Sequence, residues 1–291
     1  MADEDEEVIY EEIRPEDIEM LEMVGSGMTA EVFRATWRGH QVAVKEIQWH
    51  KSSLAQKQSK AFERELGLLP NINHPNVIRF YGAQTEVKPF RVVMEYCDGG
   101  ALFELLHNSD HLDIDWSQKR KMCADVASAM DYLHNMTPQI IHRDLKSLNL
   151  LLSEQFLGDP SEVPIVKVTD FGLSRMKESE GPWDNPTKCV GTCHWMAPEV
   201  YQGLQYDEKV DVYSYAMILF EIVCREIPFE DEEPAQVGFL VVQGRRPDLD
   251  AIPLDCPPEL FNLMERCWSQ EAKDRPPFSE VCQVLASLNL P

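Results

Sequence analysis

Residues 141–149 read Ile-His-Arg-Asp-Leu-Lys-Ser-Leu-Asn. One carboxylate, Asp144, stands among Arg143, Lys146 and Asn149. The flanks are apolar: Ile140 and Ile141 before, Leu150, Leu151 and Leu152 after. Short apolar runs of this kind read as buried strands, which puts the polar residues on a loop between two of them. A carboxylate, a cation and a side-chain amide together are what phosphoryl transfer uses. The Asp accepts the proton of an attacking hydroxyl, the Asn holds a magnesium ion, and the Lys balances charge on the moving group.

The run His142-Arg-Asp-Leu-Lys-Ser-Leu-Asn149 resembles the H-R-D-L-x-x-x-N catalytic loop of protein kinases. Upstream, the apolar stretch from Ile18 to Val24 leads into Gly25-Ser-Gly27-Met-Thr-Ala-Glu-Val32. Two close glycines alone would describe an ordinary hairpin. The residues after them have strand composition: Val32-Phe33, Ala35 and Trp37, then Val42-Ala-Val-Lys45, with Arg38-Gly39-His40 as the turn. A glycine-rich hairpin, a tight turn and a strand ending in V-A-V-K are similar to the nucleotide roof of a kinase. The glycines let backbone approach the phosphates, and Lys45 holds the α- and β-phosphates. The chain has Thr29-Ala30 where the family usually has an aromatic and a glycine.

Residues 51–71 read as a helix, with Leu54, Phe62, Leu66 and Leu69 at near-helical spacing. The resemblance asks this helix for a carboxylate partner to Lys45; Glu65 aligns best, and Glu63 is the alternative. Strands over 78–84 and 90–94 come next, joined through Lys88-Pro89. Met94 falls at the family's gatekeeper position. Glu95-Tyr96-Cys97 is then the hinge, and Asp98-Gly99-Gly100 the lobe boundary. The patterns predict a short helix over 101–107 and a long one over 116–136. Residues 153–164 read as a surface loop insertion. Lys167-Val-Thr-Asp170-Phe-Gly172 matches the metal-binding D-F-G, and 173–196 would be the activation segment. Its end, Gly191-Thr-Cys-His-Trp-Met-Ala-Pro-Glu199, is similar to the G-T-x-x-W-M-A-P-E of tyrosine-kinase-like kinases, the group of the Raf and mixed-lineage enzymes. Asp211, opening an apolar helix, matches the Asp that holds the catalytic-loop backbone. Tyr213 stands where Trp is commoner and Ala216 where Gly is. Arg275 matches the Arg that pairs with Glu199.

The 291 residues carry a formal net charge of −23 and 44% hydrophobic residues, with no uninterrupted apolar stretch of membrane-spanning length. Nucleic acid and anionic membranes are therefore poor partners. The 8 cysteines contain no C-x-x-C pair, so reduced cytoplasmic thiols are expected. Ala2 and the final Leu-Asn-Leu-Pro match no lipidation signal. Residues 1–17 are expected to be a solvated, acidic, disordered leader.

The resemblance covers nearly the whole chain. It implies an α+β, two-lobed protein-kinase fold over 18–290: an N-lobe of about 18–94 with an antiparallel sheet and one main helix, a hinge of about 95–99, and a mainly helical C-lobe of about 100–290. It implies transfer of the γ-phosphoryl of ATP to Ser/Thr hydroxyls of proteins, with magnesium, or manganese in its place. Asp144, Lys146, Asn149, Lys45, Glu65 and Asp170 are the catalytic set, and Asn149 and Asp170 the metal ligands. The nucleotide would lie on Val24, Gly25, Ser26, Gly27, Val32, Ala43, Lys45, Met94, Glu95, Cys97 and Leu151. Kinases with an Arg before the catalytic Asp often need a phosphate on the activation segment; Thr187 is the candidate, through an upstream kinase or self-association. Two alternatives stay open: a pseudokinase scaffold and dual specificity. Dinucleotide binding fails, because no helix directly succeeds the glycine-bearing strand. Arg-directed kinases carry a Glu just after the hinge glycines and another before the catalytic-loop Asn. Here those positions are Ala101 and Leu148, so no strong arginine preference is expected.

Overall fold

Along Val42-Ala-Val-Lys45, alternate residues face opposite sides of a strand, and that alternation organises the first half of the molecule. The structure, a computed structural model, describes residues 10–27, 30–48, 66–67, 69–171 and 193–288. The chain divides into two compact units, 1–97 and 98–291.

The first unit holds an antiparallel sheet of β1 (Ile18–Ser26), β2 (Ala30–Trp37), β3 (His40–Ile47), β4 (Phe80–Gln84) and β5 (Arg91–Glu95), in the order β1-β2-β3-β5-β4. Arg38 and Gly39, with φ of 51° and 80°, form the two-residue turn between β2 and β3. Positive φ at both positions gives the twist that flanking strands need. One sheet face is a core of Ile18, Ala35, Trp37, Val42, Val44 and Val93. It also receives Ile13, only 2% exposed. Residues 10–14 are therefore not a solvated leader. Their acidic composition suggested one, but Ile13 has an apolar socket and its backbone pairs with Ala83. Of the expected helix over 51–71, residues 51–65 and 68 lie outside the described residues. Its end is corrected: Leu69–Asn71 is a turn of 3-10 helix. The strand expected from residue 78 starts at Phe80.

The second unit contains α1 (Leu102–His107), α2 (Trp116–His134), the two-stranded ladder of β6 (Leu150–Leu152) and β7 (Val166–Val168), α3 (Pro198–Tyr201), α4 (Lys209–Cys224), α5 (Pro234–Val242), α6 (Pro258–Cys267) and α7 (Phe278–Ser287). Asp115 starts α2 with a reciprocal capping box to Gln118. Met122, Val126, Ala129, Met130 and Leu133 form its buried face, which packs on α4 and α7. Helix α4 is buried on every side from Val210 to Val223, so it is the axis of this unit rather than a surface helix. Ile140 and Ile141 are not a strand. Ile140 is buried, but its N–H donates to Leu133 O at the end of α2, at 3.1 Å, instead of to a ladder. Among the described residues no helix is long and apolar enough to cross a membrane.

Candidate active site

The loop 142–149 hangs from α4. Asp211, fully buried, accepts the N–H of His142 at Oδ2 (2.7 Å) and that of Arg143 at Oδ1 (2.8 Å). His134 Nε2 lies 2.9 Å from Oδ2. Two consecutive amides bound to one carboxylate fix the turn; Arg143 takes φ of 65° there. His142, also fully buried, donates from Nε2 to Thr169 O at 2.9 Å. That bond sets the tautomer, leaving Nδ1 to accept the N–H of Asp144 at 3.4 Å.

Asp144 is thereby placed at the centre of its neighbours. Lys146 Nζ lies 3.0 Å from Asp144 Oδ1. Asn149 donates from Nδ2 to Asp144 O at 2.7 Å and to Oδ2 at 3.2 Å. These bonds commit the nitrogen end of the amide and leave Oδ1 as its acceptor end. The β6–β7 ladder pairs Leu150 with Val168, and Thr169 N–H donates to Asn149 O at 3.0 Å. Asn149 and Asp170 thus sit at the same end of one ladder. Asp170 has φ of 62°, a conformation that turns the chain sharply after β7.

A second buried acid, unforeseen in the sequence, ties the loop to the residues before α3. Glu221 in α4 accepts Ser147 Oγ–H at 2.5 Å and Trp195 Nε1–H at 2.6 Å, and His107 Nε2 lies 3.0 Å away. The available signal was one charged residue in an apolar run that predicts a helix buried all round, since such an acid must find donors. Arg275 and Glu199 form the expected pair, at 2.6 Å and 2.8 Å across two parallel bonds. A shallow recess, lined by Asp144, Leu145, Met196, Val200, Tyr206 and Val210 among others, adjoins the loop.

In the first unit, strand register groups the expected nucleotide residues. Gly25 faces Val32, Val32 faces Lys45, and Ala43 faces Met94. Directly paired residues share a side and alternate residues return to it. Gly25, Val32, Ala43, Lys45 and Met94 therefore share the face opposite the Val42–Val44 core. Val24 and Ser26 flank Gly25 at the exposed end of β1, and Gly27 N–H donates to Ala30 O at 2.9 Å. Glu95 ends β5. Cys97, buried and the last residue of this unit, packs as a small apolar side chain. In the second unit Leu151 pairs with Lys167 in the ladder and bridges to Ala101. Glu65, Gly172 and Thr187 lie outside the described residues.

A family model described as protein tyrosine and serine/threonine kinase matches residues 18–285. The chain is 37% identical over 281 residues to the probable serine/threonine-protein kinase SIS8 of Arabidopsis thaliana, covering 96% of this chain and 26% of that protein. It is 38% identical over 266 residues to the probable serine/threonine-protein kinase drkB of Dictyostelium discoideum (91% and 36%). Against the human mitogen-activated protein kinase kinase kinase 7 it is 35% identical over 283 residues (96% and 43%). The chain spans less than half the length of each of these relatives. With its five-stranded antiparallel sheet, its mainly helical second unit and the match over 18–285, the chain belongs to the protein tyrosine and serine/threonine kinase family.

Proposed function

We propose that this chain is the catalytic unit of an ATP-dependent protein kinase that phosphorylates serine and threonine side chains of proteins. The observation that carries the reading is the double hydrogen bond from the 142–143 backbone to Asp211, which aims Asp144 between Lys146 and Asn149. Asp144 orients the acceptor hydroxyl and takes its proton. Lys146, held at 3.0 Å from Asp144, places positive charge beside the transferred phosphoryl group. Lys45, with Glu65 as its partner, binds the α- and β-phosphates. The nucleotide lies on Val24, Gly25, Ser26, Gly27, Val32, Ala43, Met94, Glu95, Cys97 and Leu151. The donor set suits a hard divalent cation: the amide oxygen of Asn149 and the carboxylate of Asp170 are oxygen ligands. We assign magnesium there, with manganese able to replace it. When bound, it neutralises charge on the β- and γ-phosphate oxygens.

The Asp144-Leu-Lys146 form of the loop supports Ser/Thr over Tyr as acceptor. A kinase unit over 18–290, with its hinge near 95–99, acting in the cytoplasm, completes the reading. In the decisive experiment, Asp144→Asn lowers kcat by about 10²- to 10⁴-fold while the melting temperature stays near that of the wild type. Equal phosphorylation rates in the two proteins would remove Asp144 from the mechanism.

Control is assigned to Thr187. A phosphate there adds roughly −1.5 to −2 charge and acceptor oxygens that an arginine such as Arg143 can pair. Peptide mapping of the ATP-treated enzyme should find that phosphate, and Thr187→Ala should lower activity. Full activity in Thr187→Ala, with 173–190 of the active wild type unmodified, overturns the assignment.

A further inference from the structure

Residues 10–13, Tyr-Glu-Glu-Ile, lie outside the stretch matched by the family model, which begins at residue 18. The sheet nevertheless receives all four. Strand β4 is an edge of the five-stranded sheet, and edges are templates for any extended chain. Here Ile13 N–H donates to Ala83 O at 2.7 Å, and Ala83 N–H donates to Glu11 O at 3.0 Å. Together they make a parallel bridge centred on Glu12. The Glu12 carboxylate accepts Thr85 N–H at 2.6 Å, Thr85 Oγ1–H at 2.7 Å and Glu86 N–H at 3.1 Å. Bonds to an ionised acceptor are the strong ones. Glu11 pairs with the Arg38 guanidinium. The Tyr10 ring meets Phe80 edge-on at 6.4 Å, and its hydroxyl lies 3.0 Å from Thr85 Oγ1. Gly82 makes the approach feasible: a Cβ there would lie 2.4 Å from Glu11 O and 2.8 Å from Ile13 Cδ1.

Four consecutive residues, each with its own side-chain contact, exceed what edge protection needs. Strand addition of this kind takes affinity from main-chain bonds and specificity from side-chain pockets. The socket of Ile13 is also connected to the nucleotide face. Its core cluster includes Val42 and Val44 of β3, which alternate with Ala43 and Lys45. Ile13 therefore belongs to the core that backs the strand presenting Lys45. We propose that the β4 edge is a binding site for an extended Tyr-Glu-Glu-Ile segment, that residues 10–13 occupy it as its ligand in cis, and that occupancy sets ATP affinity through the order of β3. The ATP part rests on the phosphate-binding role of Lys45 given above; the peptide-binding part does not. A phosphate on Tyr10 would stand beside Thr85 Oγ1, which already serves the Glu12 carboxylate, so the added negative charge would weaken docking.

The test uses the full chain. Ile13→Asp withdraws the cis ligand from its socket. The probe is a fluorescent synthetic peptide of wild-type residues 8–15, monitored by anisotropy without nucleotide. The peptide should bind the Ile13→Asp chain and not the wild type, whose own segment fills the site. The ATP KM of the variant should rise roughly 5- to 10-fold, within the usual range of coupling between sites. Its kcat should change less, and saturating peptide should restore KM. A peptide phosphorylated at Tyr10, or carrying Glu12→Gln, should bind more weakly, and Gly82→Ala added to Ile13→Asp should abolish binding. A folded Ile13→Asp chain that does not bind the peptide overturns the site. Binding without any recovery of KM overturns the coupling. If Ile13→Asp does not fold, Glu12→Gln in the full chain decides by the same two readings. A chain lacking kinase activity would still report the peptide arm, which separates failure of this proposal from failure of the kinase reading.

Discussion

Asp211 and Glu221 are both fully buried in α4, where an unaccompanied carboxylate would cost several kcal/mol. Neither bears its charge alone. Asp211 gathers two backbone N–H groups and His134, and Glu221 gathers Ser147, Trp195 and His107. These bonds tie the catalytic loop to the helix that forms the axis of the unit. Tyr213, on the same helix, breaks the pattern. Its ring centre lies 5.3 Å from the guanidinium of Arg246 and 5.1 Å from that of Arg275. Its buried hydroxyl finds no hydrogen-bond partner among the described residues. Tyr213→Phe should therefore change stability by less than the roughly 1 kcal/mol that loss of a formed hydrogen bond costs, and it removes one titration. Burial pushes the Tyr213 hydroxyl up to about 12 from 10.0. The neutral form is favoured in the folded state, so this contribution to stability is complete below pH 10 and is lost as pH rises from there toward 12. Denaturant melts across that range should show a smaller alkaline loss in Tyr213→Phe. Equal alkaline slopes in the two proteins would contradict the assignment.

At the scale of elements, the first residues of the second unit run closely beside β6. Asp98 and Gly99 donate to Ser153 O and Leu152 O, and Leu152 donates to Gly100 O. A Cβ at Gly99 would lie 2.2 Å from Glu154 O and 2.6 Å from Leu152 Cβ, so backbone on both sides must move. Gly99→Ala should cost at least about 1–3 kcal/mol, read as a fall in melting temperature. Gly25→Ala, whose Cβ meets nothing closer than Val32 Cβ at 3.7 Å, serves as the control. A Gly99→Ala protein as stable as Gly25→Ala would mean the segment is not packed this closely. Elements of this kind were legible where one stretch of chain decides its own structure. Arg38-Gly39 announces its hairpin, the apolar spacing after Trp116 its helix, and His142 to Asn149 a loop whose residue types already name its chemistry. Reading failed where a distant element decides. The Ile140–Ile141 pair looks like a strand but has a helix end as its hydrogen-bond partner. Residues 10–14 look solvated until β3 and β5 supply the socket for Ile13. The role of Glu221 needed donors from α1, the catalytic loop and Trp195, which no local pattern brings together.

At the scale of the molecule, a net charge of −23 invites the expectation of strongly basic substrates. Long-range attraction of that kind is screened over about 8 Å at physiological salt, so selection at one substrate position needs a carboxylate beside the acceptor. The described residues offer few there. The position after the hinge glycines is Ala101, whose backbone bridges to Leu151. The residue before Asn149 is Leu148, apolar and 41% exposed. Glu221 is buried and already engaged by three side chains. The acids of residues 230–233 lie in the turn before α5, and the recess beside Asp144 is lined mostly by apolar side chains, Leu145, Trp195, Met196, Ala197, Val200 and Val210. Among the described residues, a guanidinium three residues before the acceptor thus lacks the paired carboxylate that would make it selective. In a positional peptide library at physiological salt, arginine at that position should be selected no more than about 5-fold over lysine or glutamine, an exposed ion pair contributing under about 1 kcal/mol. Replacing Ala101 and Leu148 by Glu together should raise that preference, and lowering the salt should raise it further in the double variant than in the wild type. A dominant arginine requirement in the wild-type chain would show that other acids reach the acceptor site.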